Sequence, residues 1–133
     1  MAAELRALSR AALLATASAI ATAGCGGGDD RPSREDARTC LERLNLHVTP
    51  WERPPNDDDG PYARLDANDV LRHRLRVEAQ YYDDEEEAER YEPGQRRRAR
   101  AHDGAVERHD TLTLFWLYGH GHSLAERTRD CLL

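Results

Sequence analysis

The densest group of reactive side chains is Gly119-His120-Gly121-His122-Ser123-Leu124-Ala125. Alternate residues of an extended segment point to the same side, so His120 and His122 could offer two imidazoles to one cation, and imidazole suits Zn, Cu or Ni. A third or fourth ligand would have to come from His47, His109 or an acidic side chain. Solvated loop histidines are the competing reading, because the six histidines are scattered through a polar chain. Asn56-Asp57-Asp58-Asp59-Gly60 has the acid density of a calcium loop. With Gly60 at the sixth loop position, Asp57, Asp59 and Asp66 fall on ligand positions, but Pro55 brings no carboxylate to the first. The segment reads as a solvated turn. Gly119-x-Gly121 lacks the third glycine of a dinucleotide fingerprint, and no cofactor is expected.

Gly121-x-Ser123-x-Ala125 resembles the nucleophile elbow of the α/β-hydrolases. Those enzymes need an acid and then a histidine after the serine. Only ten residues follow Ser123, and none is His. Ser123 reads instead as the cap of a last helix, with Glu126 completing a capping box. No catalytic residue is assigned, and the expectation is a protein that is not an enzyme.

The N-terminus reads as an address. Arg6 and Arg10 precede the apolar run Ala11–Ala21, too short for a permanent span. It ends in Ala21-Thr22-Ala23-Gly24-Cys25, and the small residues before the cysteine resemble the lipobox of bacterial lipoprotein precursors. That resemblance implies cleavage after Gly24 and diacylation of the Cys25 thiol. Ala21-Thr22-Ala23 is also an A-x-A site at which an ordinary signal peptidase would release a secreted, soluble protein. Residues 1–24 are thus a signal peptide, and residues 25–32, with Gly26-Gly27-Gly28-Asp29-Asp30, a lipidated cysteine on a flexible tether. If Cys25 carries lipid, Cys40 and Cys131 remain as a disulfide pair and no thiol is left over.

Residues 33–133 form one domain. Ser33-x-x-Asp36 opens a helix with Ala37, Cys40, Leu41 and Leu44 on one stripe, closed by Asn45. Leu46 and Val48 start a strand that Pro50 stops. Residues 50–63 read as a loop carrying Trp51 and Tyr62 back over the core, and Asp66–Leu71 as a helical turn or bend. Leu75, Val77, Ala79 and Tyr81 alternate as a half-buried strand. A short acidic helix, 84–91, is ended by Pro93-Gly94, and 95–103 is an irregular basic connection. A hairpin turning at His109-Asp110 follows, and a helix with Leu124, Thr128, Cys131 and Leu132 on one face closes the chain. Phe115 and Leu117 oppose Leu112, Leu114 and Trp116, which marks a central strand. The order α-β-β-α-β-β-α predicts a small two-layer α+β domain, an antiparallel sheet of three to four strands with helices on one face. Cys40 and Cys131 would tie the first helix to the last.

Layout and composition narrow the function. The chain also looks like the small lipoproteins of high-GC Gram-positive bacteria, through Gly24-Cys25-Gly26-Gly27-Gly28-Asp29-Asp30, Thr39-Cys40-Leu41 and Asp130-Cys131-Leu132. The resemblance implies location and architecture and brings no catalytic residue. At 133 residues the chain has room for one domain; a net charge of −6 opposes a nucleic-acid partner and a mean hydropathy of −0.83 a multi-span membrane protein. Arg96-Arg97-Arg98 would meet either anionic headgroups or the neighbouring acidic helix. The expected protein is lipid-anchored on the outer face of the cell membrane. Its expected role is binding an unknown protein or small ligand, or interaction within the envelope; the alternative is metal binding through His120 and His122.

Overall fold

A computed structural model of the chain describes residues 30–133. Ser33 starts α1 (Arg34–Arg43): its Oγ accepts from the Asp36 N–H at 3.1 Å, and Glu35 and Asp36 sit at the positive end of the helix dipole. Ala37 and Leu41 form the buried stripe. Asn45, in the left-handed region, ends the helix as expected, and the Leu46 N–H bonds back to the Leu41 carbonyl at 3.3 Å.

Three strands follow: β1 (His47–Glu52), β2 (Ala63–Asn68) and β3 (Arg76–Tyr81). They form an antiparallel meander. The expected order lacked β2, so the sheet has five strands where three to four were expected. Ala63, Leu65 and Ala67 are buried while Arg64, Asp66 and Asn68 are half-buried, a period-two pattern weakened by small, poorly strand-forming alanines. Pro50 lies inside β1, which is tolerable because β1 is an edge strand.

The second helix, α2 (Glu85–Ala101), runs through Pro93-Gly94 without ending. Asp84 caps it, its carboxylate accepting from the Glu87 N–H at 2.8 Å. Proline at position 93 removes one helical hydrogen bond, to the carbonyl four residues back, on a face where Glu89 and Pro93 are exposed and water can replace it. Ala88, Gln95 and Ala99, spaced by seven and four, keep one buried face continuous across the proline. Strands β4 (Ala105–His109) and β5 (Leu112–Tyr118) then form a hairpin turning at Asp110-Thr111, one residue later than expected, with Asp110 left-handed. The chain closes in α3 (Ser123–Leu132). The sheet order is β1-β2-β3-β5-β4, every neighbour antiparallel, so β3 and β4 run parallel with β5 between them.

Helices occupy both faces of the sheet, which corrects the expectation of one helical face. Residues opposite one another in register share a face. On the first face Leu65, Val77, Leu114 and Trp116 pack with Leu41 of α1 and Leu132 of α3 in the main core. On the second, Val106 and Phe115 pack with Ala99 of α2. A polar network locks α2 there. The Tyr82 hydroxyl donates to Gln80 Oε1 at 2.9 Å and accepts from Gln95 Nε2 at 2.9 Å, and burial pushes its pKa up to about 12. Arg108 reaches Glu92 at 2.9 Å and Glu85 at 3.0 Å. The β1–β2 half of this face carries no helix; there Arg64 lies over the Trp51 ring at 4.1 Å, so Trp51 belongs to a strand and not to a loop folded over the core.

Cys40 of α1 and Cys131 of α3 are joined by a disulfide, with Cα atoms 5.5 Å apart and a sequence separation of 91. The expected pairing of first and last helix is therefore present. The proposed signal peptide, Cys25 and the tether up to Asp29 lie outside the described residues.

Candidate functional site

Two loops and two helix ends meet at one end of the sheet. The β2–β3 loop, 69–75, is organised by Asp69, whose side chain is buried. Its Oδ1 accepts from the Arg72 N–H at 3.3 Å, and its Oδ2 accepts from the Arg74 N–H at 3.4 Å and from Arg74 Nε. The Asp69 backbone adds bonds to Leu75 and His73, and His73 takes a left-handed turn. An Asp that gathers the amides of its own loop is an Asx-type turn, a local alternative to helix or strand. The tied loop holds Val70 and Leu71 out in solvent, 50% and 91% exposed.

The guanidinium of Arg74, with the loop amides, holds the Asp69 carboxyl below the usual aspartate range. A depressed carboxyl stabilises the loop at pH values above its unfolded value of about 3.9, and that contribution disappears as pH falls through the lower folded value. Amide exchange at Arg72 and Arg74 is thus expected to stay slow from pH 7 to below 4 and then to rise. An Asp69→Asn variant is expected to show the fast exchange already at pH 7; unchanged protection in that variant would refute the assignment.

The second loop, 119–122, packs on the first. Gly119 has φ +82, and a Cβ there would lie 2.2 Å from the Arg74 carbonyl oxygen. His122, not Ser123, caps α3: its Nδ1 accepts from the Leu124 N–H at 3.0 Å. Ser123 is the first helical residue, exposed to solvent. A lone pair on Nδ1 that accepts an N–H is not free for a cation. His120 is exposed, and its carbonyl accepts from Arg129 at 3.0 Å. His109 sits at the other end of β5, beside Leu112, and His47 at the start of edge strand β1. Among the described residues no three His, Cys, Asp or Glu side chains come together as a metal site. In the acidic loop, Asp57 Oδ1 accepts from the Asp59 N–H at 3.2 Å, a local turn. Of the arginine run, Arg96 pairs with Glu92 at 2.6 Å and Arg98 lies over Phe115 at 5.0 Å. Their own helix and the sheet engage these two.

Between the 69–75 loop and the ends of α1 and α3 lies a cleft of about 310 Å³. Leu44 from the end of α1, Leu71 from the loop and Leu124 from α3 line it with Arg72 and Arg127, and the Asp69–Arg74 pair supports one wall. No protein family, curated protein or solved structure matches the chain. The site must be read from its own geometry. Arg72 and Arg127 are two of five arginines, with Arg43, Arg97 and Arg100, whose guanidinium groups no carboxylate, carbonyl or ring engages among the described residues. Sequence reading missed them because nothing local separates a free arginine from a paired one. The cue that was readable was Val70-Leu71 between Asp69 and Arg72-His73-Arg74, an apolar pair inside a charged run.

Proposed function

We propose that the chain is a lipid-anchored, extracytoplasmic domain that acts by binding within the cell envelope and not by catalysis. The observation that carries this reading is the Cys40–Cys131 disulfide. Disulfides persist in oxidising compartments and are rare in reducing ones. The chain has three cysteines, so the bridge leaves Cys25 as the one thiol outside it. That thiol stands behind Ala23-Gly24, before three glycines, where a lipobox resemblance supplies its use. Two acyl chains on it would anchor the domain to the bilayer without a spanning helix. The His122 side chain is engaged in capping α3.

Wild-type protein is expected to gain the mass of acyl chains and to partition into the detergent phase of a Triton X-114 extract. Cys25→Ser is expected to lose both while keeping the 40–131 bridge. Wild-type protein recovered only from culture fluid would overturn the anchor.

A further inference from the structure

We propose that the end of the domain formed by the 69–75 and 119–122 loops docks on an anionic lipid bilayer, with Val70 and Leu71 entering the headgroup layer. The charge of the chain is divided along the strands. All five arginines that no partner engages among the described residues lie at this end. Arg72 stands in the loop, Arg43 in the last turn of α1, Arg97 and Arg100 in the last two turns of α2, and Arg127 in the first half of α3. All five are exposed. The carboxylates near them are Asp69, held by Arg74, Glu42, held by Arg38, and the exposed Asp103 and Glu126. The opposite end gathers Asp57-Asp58-Asp59, Asp83 to Glu87 and Asp110. An anionic surface therefore turns the acidic end away and the arginine end inward.

The second observation is apolar. Val70 and Leu71 are 50% and 91% exposed, and the only other large hydrophobic exposed among the described residues is Leu133, at 37%. The bonds of Asp69 to the Arg72 and Arg74 amides fix the loop that carries them, so little ordering is lost when they insert. An aliphatic tip ringed by guanidinium groups matches a bilayer, which offers phosphates at its surface and hydrocarbon beneath. Nucleic acid offers the phosphates without the hydrocarbon. A peptide segment occupies one groove, whereas α1 and α3 flank the first sheet face and α2 the second, so the arginines ring the whole end. The net charge of −6 does not oppose the contact. Seven-residue β5 separates the two ends by roughly 20 Å, more than twice the screening length of about 8 Å at physiological salt. Headgroups at the arginine end scarcely feel the distant carboxylates. The contact is made by described residues alone and does not depend on acylation of Cys25.

The test is co-sedimentation of full-length Cys25→Ser protein, which carries no acyl chain, with vesicles. It is expected to bind phosphatidylglycerol–phosphatidylcholine vesicles, more weakly as salt rises, and to bind phosphatidylcholine vesicles poorly. In that background Arg43→Ala, Arg72→Ala, Arg97→Ala and Arg127→Ala are each expected to weaken binding about fivefold. Leu71→Ser is expected to weaken it about tenfold. Arg90→Ala, towards the acidic end of α2, is expected to leave it unchanged. A Leu71→Trp variant is expected to shift its emission to the blue when anionic vesicles are added. Circular dichroism confirms folding of each variant. Absence of vesicle binding, equal binding to phosphatidylcholine alone, binding insensitive to these substitutions, or capture of duplex DNA or an acidic peptide in preference to the vesicles would overturn the proposal. Because the acyl chain is absent throughout, failure here leaves the anchor at Cys25 to its own test.

Discussion

Replacing both Cys40 and Cys131 by Ala is expected to remove up to roughly 4–5 kcal/mol of folding stability, the loop-entropy value for a closure of about 90 residues. The two helices already lie side by side on the first sheet face. Leu41 and Leu132, one residue from each cysteine, are fully buried in the main core. Their packing survives the substitution, so the effect acts by freeing the unfolded chain. A domain near 100 residues has a total margin of about 5–15 kcal/mol, so the loss removes a large part of it. Urea unfolding with and without dithiothreitol measures this directly. The midpoint is expected to fall sharply for both the reduced wild type and the double variant, and to the same position. A midpoint that does not move on reduction would show that the bridge is not formed in solution or constrains nothing.

Gly119→Ala is expected to cost about 2–5 kcal/mol. Roughly 1–2 comes from holding an L-residue at positive φ. About 1–3 more comes from overpacking, because the new methyl meets the Arg74 carbonyl oxygen at 2.2 Å and Leu75 Cβ at 2.5 Å. The clash falls on the backbone of the 69–75 loop. Two residues away, Gly121 has nothing within 4 Å of its Cβ position, and Gly121→Ala is expected to stay within about 0.5 kcal/mol of wild type. Denaturant melts of the two variants side by side test the contrast. Equal behaviour would mean that the close approach of the two loops is absent.

Much of this architecture could be read from particular residues, and the failures have physical causes. Ser33 with Asp36, and Leu41 four residues before Asn45, marked both ends of α1. Leu112, Leu114 and Trp116 against Phe115 and Leu117 marked β5 as flanked on both sides. That same pattern implied a second layer, which α2 supplies, yet the helices were expected on one face because α2 had been cut at Pro93-Gly94. Proline inside a helix loses one hydrogen bond and crowds the carbonyl four residues back; here that carbonyl faces water and the Gln95–Ala99 face is held by the sheet. Strand β2 was missed because alanine at 63 and 67 signals helix or nothing by propensity, and only its neighbours β1 and β3 make it a strand. At the site, His120 and His122 drew attention through their chemistry. The free arginines and exposed Leu71 emerge only when α1, α3 and the 69–75 loop come together. Asp69 was readable as a turn-former, but its burial was not, because burial depends on Arg74 and Leu75 folding over it.

Pro50 has a wider consequence. The Arg53 N–H bonds to the Tyr62 carbonyl, so alternation directs the amide position of residue 50 away from β2, to the open side of the sheet. The outer margin of β1 therefore lacks a donor at its middle, and an incoming strand from another molecule cannot complete a ladder along it. Crowded molecules would be kept from stacking into fibres by a single imino acid.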